Sequence, residues 1–489
     1  MLAIKIRKPI QVIATVFCLV LGYSAPVFAT DDLDDLLTGF DDIQETKPIT
    51  GANAEDEGFD GLLSGFDEPT EPQQNKTDEG NDNILPPWLE LFGSISILGT
   101  WNYDHEKPDS GETDYRGLSM LKTTGALGAD IDMGKWQVRI SGHGFYDAAY
   151  SIQDRDNYYV DLLDDYEQEV ELDELYLQGS LTDNFDVKIG RQVVVWGKAD
   201  NLRVTDILNP LDNRYMGLVD IKYKRLPVTM SKFDYYTGDW NFSSIIINEV
   251  RFDKNPVYNS DFYPGNSPAV SETEPTNFAF DTQQYAMALN GIFSGWDLSF
   301  YQAWVYDSRA HLSQTDDTAE RVHNRVSMSG LTGNIALGNW LFKAEGAWWN
   351  GLEYGAIEDE EFNRLDLMAG VEYMGFSETA ISVEFLNQHI LDFDTRLEGS
   401  PDYAEENIQK TAIMISRDFA NDTNQVKLLC TLFGSLGQGG AFERLQFEHD
   451  LSDHITLTAG VIIYQSGDLY AFSDIDNNDR IFLEYTYAF

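Results

Sequence analysis

Eight of the chain's 33 basic residues fall between positions 188 and 225: Lys188, Arg191, Lys198, Arg203, Arg214, Lys222, Lys224 and Arg225. Asp186, Asp200, Asp206, Asp212 and Asp220 are their only close acids, so a net positive island stands in a chain of formal charge −49. Cations at this density allow two kinds of chemistry. Facing a pore, they form an electropositive constriction that selects anionic solutes or anionic head groups. Turned into a packed interior, they must be paired, because a buried cation without a partner is costly. Glu174 is a carboxylate that Arg191, Arg203 and Arg214 could take, and pairing is the preferred of the two readings, although one residue set can serve both.

Other chemistry is poorly represented. The histidines, at 105, 143, 311, 323, 389, 449 and 454, sit in no hydrolase signature, and no Gly-x-Ser-x-Gly elbow occurs. The residues therefore point away from an enzyme, and no cofactor is implied. Asp474, Asp476 and Asn478 alternate like the opening of a calcium loop. The expected glycine is replaced by Asp479, however, and no spaced bidentate Glu follows, so an acidic surface loop is the preferred reading. Nucleic acid is excluded as a partner by the charge, since phosphates need a basic footprint. Acidic outer loops of this kind suit bridging to lipopolysaccharide through divalent cations.

The elements that must position the basic island are strands. The last residues carry the clearest pattern: Ile481, Leu483, Tyr485, Tyr487 and Phe489 on one face, Arg480, Glu484, Thr486 and Ala488 on the other, with Phe482 the exception. That alternation fits a strand with lipid on one side and a polar lumen on the other. A final strand ending on an aromatic carboxylate, with Tyr485 and Tyr487 before Phe489, resembles the signal read by the outer-membrane assembly machinery. Leu365, Leu367, Ala369, Val371 and Tyr373 alternate likewise, as do Ile455, Leu457, Ala459, Val461 and Ile463, with Ile462 the exception there. Trp340, Phe342, Ala344 and Trp348 oppose Lys343 and Glu345.

Eight short turns, near 133–135, 182–184, 237–239, 294–295, 337–339, 375–377, 421–423 and 452–453, alternate with nine longer polar loops. The loops lie near 104–115, 153–165, 198–226, 253–277, 313–320, 355–361, 393–405, 434–440 and 467–479. This predicts an all-β transmembrane antiparallel barrel over 86–489, of 18 strands, or 16 if the stretch 227–252 belongs to loops. Both ends of the barrel then lie on the short-turn, periplasmic side, and closure removes the edges that lipid cannot satisfy. The loop after a strand at 185–197 is moderately apolar and lacks alternation, so it reads as an ordered insertion into the lumen. Val187, Ile189, Val193 and Val195 share the parity of Arg191, which would turn that arginine to lipid unless a bulge intervenes.

The N-terminal region is different in kind. Lys5, Arg7 and Lys8, an apolar stretch from Ile10 to Leu21 and the Val27-Phe28-Ala29 site make residues 1–29 a secretory signal peptide. Cys430 is then the one cysteine of the exported chain, so no internal disulfide forms. Residues 30–85 hold 17 Asp and Glu against two Lys, with no Trp or Tyr. This composition cannot offset ordering entropy by burial, and it predicts a disordered acidic periplasmic arm. Two copies of a Leu-Leu-x-Gly-Phe-Asp motif lie in it. Leu36, Leu37 and Phe40, then Leu62, Leu63 and Phe66, are apolar anchors at one spacing, suited to docking in a partner's groove.

Gly190-Arg191-Gln192-Val193-Val194-Val195-Trp196-Gly197, followed by Asn209-Pro210, resembles the strand-then-insertion signature of porin-like proteobacterial outer-membrane barrels of unknown function, the family DUF1302, with alginate-export barrels as broader relatives. Lys198 departs from the small or acidic residue that usually follows Trp-Gly there. The resemblance implies a partly plugged barrel that cooperates with an inner-membrane exporter of the resistance-nodulation-division type, reached through the arm. The sequence thus leaves an integral outer-membrane channel or export component as the first reading. A non-conducting adhesion or scaffold barrel comes second, and a barrel enzyme third.

Overall fold

A computed structural model describes residues 85–108, 113–265, 267–314, 319–399 and 402–489, without the side chains of 358 and 359. Residues 1–84, on which the expected signal peptide and arm fall with Leu36, Leu37, Phe40, Leu62, Leu63 and Phe66, lie outside the described residues.

The barrel opens with β1 (Leu89–Asn102), β2 (Gly117–Asp132), β3 (Trp136–Asp147), β4 (Gln168–Thr182), β5 (Phe185–Gln192) and β6 (Val228–Thr237). It continues with β7 (Trp240–Ile247), β8 (Gln284–Phe293), β9 (Trp296–Tyr306), β10 (Arg325–Leu337), β11 (Trp340–Tyr354) and β12 (Ile357–Phe376). The last six are β13 (Thr379–Leu391), β14 (Asn407–Phe419), β15 (Asn424–Phe433), β16 (Gly440–Ser452), β17 (Ile455–Gln465) and β18 (Arg480–Ala488). Each strand pairs antiparallel with its chain neighbours, and β1 pairs β18 from Ser94↔Ala488 to Asn102↔Arg480, which closes the 18-stranded sheet. Full closure satisfies every strand edge internally, the condition for a sheet to cross lipid.

The predicted 18 strands are present, and both strands of the 227–252 stretch exist, which removes the 16-strand alternative. Two boundaries differ from expectation. The fifth strand stops at Gln192 rather than 197, for a reason given below. The expected loop at 355–361 is a tight turn at Gly355-Ala356, because β11 and β12 run on as a hairpin to Tyr354↔Ile357. Gly238 at φ +57° and Gly338 at φ +63° take the left-handed backbone that two-residue turns favour.

Alternation sorts the side chains as the sequence predicts. Ile481, Leu483, Tyr485 and Tyr487 are exposed on the outer face, while Arg480 and Phe482 are buried inside. Phe489 exchanges backbone hydrogen bonds with Gly93 (2.9 and 3.0 Å), beside the closing seam. Outward Trp296 and Trp340 near the short turns are matched by Trp304 and Trp348 eight residues further up the same strands. At roughly 3.3 Å per residue and about 40° of tilt, that separation spans on the order of 20 Å, comparable to the apolar band of an outer-membrane barrel.

Candidate functional site

Segment 193–227 connects β5 to β6, and the resemblance motif is what folds it. Asn209 is fully buried and replaces the strand partner that β5 loses. Its Oδ1 accepts from Val194 N (2.8 Å), and its Nδ2 donates to Leu226 O (2.9 Å) and Gln192 O (3.3 Å). The ladder therefore stops at Gln192, and the chain turns inward with its backbone groups paired. Leu226 N donates to Pro210 O (2.7 Å) and joins the two stems. Trp196 stacks on luminal Tyr301 with ring centroids 4.5 Å apart.

Two luminal carboxylates grip the next turn. Glu345 on β11 accepts from Lys198 N, from Ala199 N (2.7 Å), and from Thr205 N (3.3 Å) and Oγ1 (2.9 Å). Glu384 on β13 accepts from Asp200 N (2.7 Å), Asn201 N (3.0 Å) and Leu202 N (3.1 Å). Both glutamates are buried, and charge-assisted bonds of this kind are about twice as strong as neutral ones. Gly197 sits at φ +92°, where a Cβ would lie 2.7 Å from Glu345 Oε1. The glycine of the Trp-Gly pair is thus what lets the backbone approach the carboxylate.

The apolar side chains of the first half of the segment pack on one wall, and Tyr215, Met216 and Leu218 further along belong to a second cluster with Ile462, Tyr464 and Phe482. Val194, Trp196, Leu202, Val204 and Leu208 share a buried cluster with Met230, Ile245, Ala286, Ala303, Met328, Ala347, Met368 and Leu386. The wall residues come from the inward face of β6 to β13, and alanines at 286, 303 and 347 leave the room that the segment fills.

The four arginines of the basic island and Lys198 are held in ion pairs. Lys198 Nζ meets Asp297 Oδ1 at 3.0 Å. Asp206 takes Arg225 (2.9 Å) and Arg203 (3.4 Å). Arg214 binds Asp212 (2.7 Å) and Glu169 (3.1 Å). Burial works against charge on Asp212, yet the Arg214 guanidinium holds its pKa below the ordinary carboxylate value. Arg191, at the rim, binds Glu249 (2.5 Å), Glu171 (3.3 Å) and Leu172 O (2.8 Å). Its lipid-side parity is relieved one residue earlier: Gly190 takes φ +134°, where a Cβ would lie 2.1 Å from Leu175 O. Lys188 is buried on the luminal face with its ammonium 3.9 Å from the Tyr176 ring centre. Lys222 lies over Tyr223 and is exposed, and Lys224 is half-buried.

Glu174 is a correction. It faces Arg139 at 3.7 Å, and Arg139 also holds Asp130 through two bonds of 2.7 and 2.8 Å. The carboxylates that meet the arginines of the island are Glu169, Glu171, Asp206, Asp212 and Glu249 instead. A register shift between Ser141 and Gly142 offsets Glu174 from them on β4. The calcium-like trio is not gathered either. Asp474 is exposed, Asp476 accepts from Ser466 Oγ (2.9 Å), and buried Asn478 bonds Asn102 and Asp261 O. Among the described residues no group of three His, Cys, Asp or Glu is placed to hold a metal.

Sequence reasoning missed Glu384, Asp297 and Asn209 as holding residues. Glu345 was legible as luminal from its strand parity, but a partner across more than 140 positions leaves no local trace.

Comparison with solved structures returns porin folds. Pseudomonas aeruginosa OccK9 (OpdG) matches at a TM-score of 0.50 and 10% identity, covering 82% of this chain and 98% of that one. Pseudomonas aeruginosa OccK2 (OpdF), solved with glucuronate, matches at 0.49 and 10%, covering 82% and 97%. Acinetobacter baumannii OccAB2 matches at 0.48 and 10%, covering 82% and 98%. At these identities the likeness is one of fold. No curated protein matches the sequence. A porin-like β-barrel fold is what the chain and these structures have in common, and the profile of the protein family of unknown function DUF1302 matches residues 68–489: the chain belongs to that family.

Proposed function

We propose that the protein is a solute channel of the Gram-negative outer membrane, narrowed by segment 193–227 and recruited into an export system by its N-terminal arm. The observation that carries this reading is the grip of Glu345 and Glu384 on six backbone N–H groups between Lys198 and Thr205. Carboxylates buried inside a lumen serve there to hold a plug in place, because a barrel wall needs no such groups for its own strand pairing. The doubled motif of Leu36, Leu37, Phe40 and Leu62, Leu63, Phe66 supports the export role, since a simple diffusion pore has no use for two apolar anchors in an acidic tether. The partner in this reading is a periplasmic or inner-membrane exporter component, of the resistance-nodulation-division type. The seven or more ion pairs around the segment favour a structural role for the basic residues over anion selection.

Planar-bilayer conductance of the purified barrel, with and without deletion of 200–222, tests the proposal. A sharp rise on deletion is expected. Silence in both forms would overturn the channel reading in favour of a scaffold barrel.

A further inference from the structure

We propose that the cavity on the long-loop side of segment 203–210 is a binding site for a neutral, polyhydroxylated solute, a small saccharide. The inference rests on the channel reading and deepens it by naming the substrate class. The cavity measures about 370 Å³, within the range of small-molecule pockets, roughly 300–1,000 Å³. Val204, Leu208, Val228, Ile247 and Val305 line it and belong to the buried cluster, so it has an apolar floor.

The lining holds four arginines and six carboxylates, and most of these charges are already paired. Asp366 takes two bonds from Arg364 (both 2.8 Å), Asp206 takes Arg203 and Arg225, and Glu171 takes Arg251 at 2.5 Å. An ionic ligand would have to displace a carboxylate or a guanidinium already satisfied, at a cost in desolvation. What remains open is hydrogen-bonding capacity of both kinds. The Nη1 groups of Arg203, Arg309 and Arg364 have no hydrogen-bond acceptor among the described residues. Asp307 lines the cavity, is 9% exposed, and its buried Oδ2 accepts no hydrogen bond; the nearest cation, Arg309 Nη2, stands 3.7 Å away. A buried acceptor left unmade costs about 1–3 kcal/mol, so it marks a place where a donor is expected.

Trp349 and Tyr354 line the same space, each with an arginine over its ring, Arg364 at 5.1 Å and Arg309 at 4.0 Å. Donors, an unmet acceptor and aromatic rings in a pocket whose charges are mostly paired suit a ligand whose hydroxyls both donate and accept and whose C–H face is apolar. A saccharide has these properties. A carboxylate lacks donors for Asp307, and an amine lacks acceptors for the three guanidinium groups.

Titration calorimetry on the detergent-solubilised full-length protein tests the site, with sucrose and maltose as neutral probes and glucuronate and glycine as ionic ones. Saturable binding of a neutral sugar is expected, weakened about 3- to 10-fold by Asp307→Asn, the value of one hydrogen bond. Gln388→Ala, on the same lining, provides a second variant whose fold can be checked by heat-modifiable migration. Tighter binding of glucuronate or glycine than of either sugar would overturn the proposal, as would no saturable binding of any sugar by the parent. Liposome swelling separates the two readings: sugar binding without sugar flux keeps the site and sinks the channel, whereas flux without saturable binding does the reverse.

Discussion

The two halves of the lumen are built on different principles. From β6 to β13 the inward face carries Met230, Ile245, Ala286, Ala303, Met328, Ala347 and Leu386, and segment 193–227 packs on it as an element packs on the core of a soluble protein. From β14 round to β5 many inward positions are polar. Glu448, Thr458 and Glu484 follow one another across β16, β17 and β18, and Lys122, Thr124, His143 and Arg139 lie on β2 and β3. These residues are half-buried, with water-facing surface left. The contrast teaches that the barrel encodes the seat of its insertion in side-chain chemistry: an apolar wall seats residues 194–208, Arg444 and a second apolar cluster hold residues 215–220 on the other side, and the polar positions keep the remaining lumen wet. Two glutamates in the apolar half, each buried by the segment, then set its register.

Loss of those glutamates breaks the difference most directly. Glu345→Ala with Glu384→Ala leaves six backbone N–H groups without acceptors in a dry interface, where each unmet group costs about 1–3 kcal/mol. Hydrogen exchange over 197–206 should rise by orders of magnitude, and single-channel conductance should increase severalfold. Unchanged protection of 197–206 would show that apolar packing alone seats the segment. Gly197→Ala acts on the same contact from the other side. The residue would be forced to φ +92° with its Cβ 2.7 Å from Glu345 Oε1, a cost of about 1–3 kcal/mol. The measurable result is a lower temperature for loss of the folded, heat-modifiable form and a smaller rise in conductance than the double variant gives.

A matched pair of substitutions sharpens the comparison. Ala303 is fully buried in the apolar half, and Ala303→Leu overpacks a filled interface, at about 1–3 kcal/mol. Thr124 faces the polar half, where Thr124→Leu meets space and water. Thermal unfolding followed by circular dichroism should fall for the first and change little for the second. Equal effects would mean the two walls are not distinct.

The strand count, the short-turn side and the inward parity of Glu345 were legible in the sequence, because alternation and turn chemistry are local. The Gly190–Gly197 motif and Asn209-Pro210 marked the insertion for the same reason: Gly190 and Gly197 take positive φ, and Asn209 substitutes for a lost strand partner within 17 residues. What stayed hidden depends on closure of the ring. Lys198 finds Asp297, and Asp200 finds Glu384 and Lys343, only once β5 and β13 face each other across the lumen. Glu174 was legible as an inward carboxylate, but that it faces Arg139 on the neighbouring strand depends on the pairing of β3 with β4. The run-on of β11 and β12 was not legible because the polar stretch 355–361 reads as loop, whereas strand pairing continues to Tyr354↔Ile357.

The smallest expected effect concerns the cap over the apolar half. His323 stacks on Phe252 with ring centroids 3.4 Å apart, and its Nε2 lies 2.7 Å from Glu272 Oε1 and its Nδ1 2.6 Å from Asp307 O. The contact ties loop 248–283 to loop 307–324, beside the three short strands Glu272–Thr273, His311–Gln314 and Ala319–Val322. Burial works against charge on His323, but the bonds to Glu272 and Asp307 outweigh it and raise its pKa above the ordinary imidazole value. The same bond to His323 lowers the pKa of Glu272. A raised histidine stabilises fully below its unfolded pKa, about 6.5, and loses the contribution as pH rises through its folded value. A depressed glutamate stabilises above its unfolded pKa, about 4.3, and loses the contribution as pH falls through its folded value. The latch is therefore whole between these limits and weakens on the alkaline side. Comparing His323→Gln with the parent at one pH at a time cancels the intrinsic change in exchange rate. The parent's extra protection at 270–274 should be present at pH 5.5 and shrink by pH 8.5; an excess that persists at pH 8.5 would mean that stacking on Phe252, not charge, holds the cap.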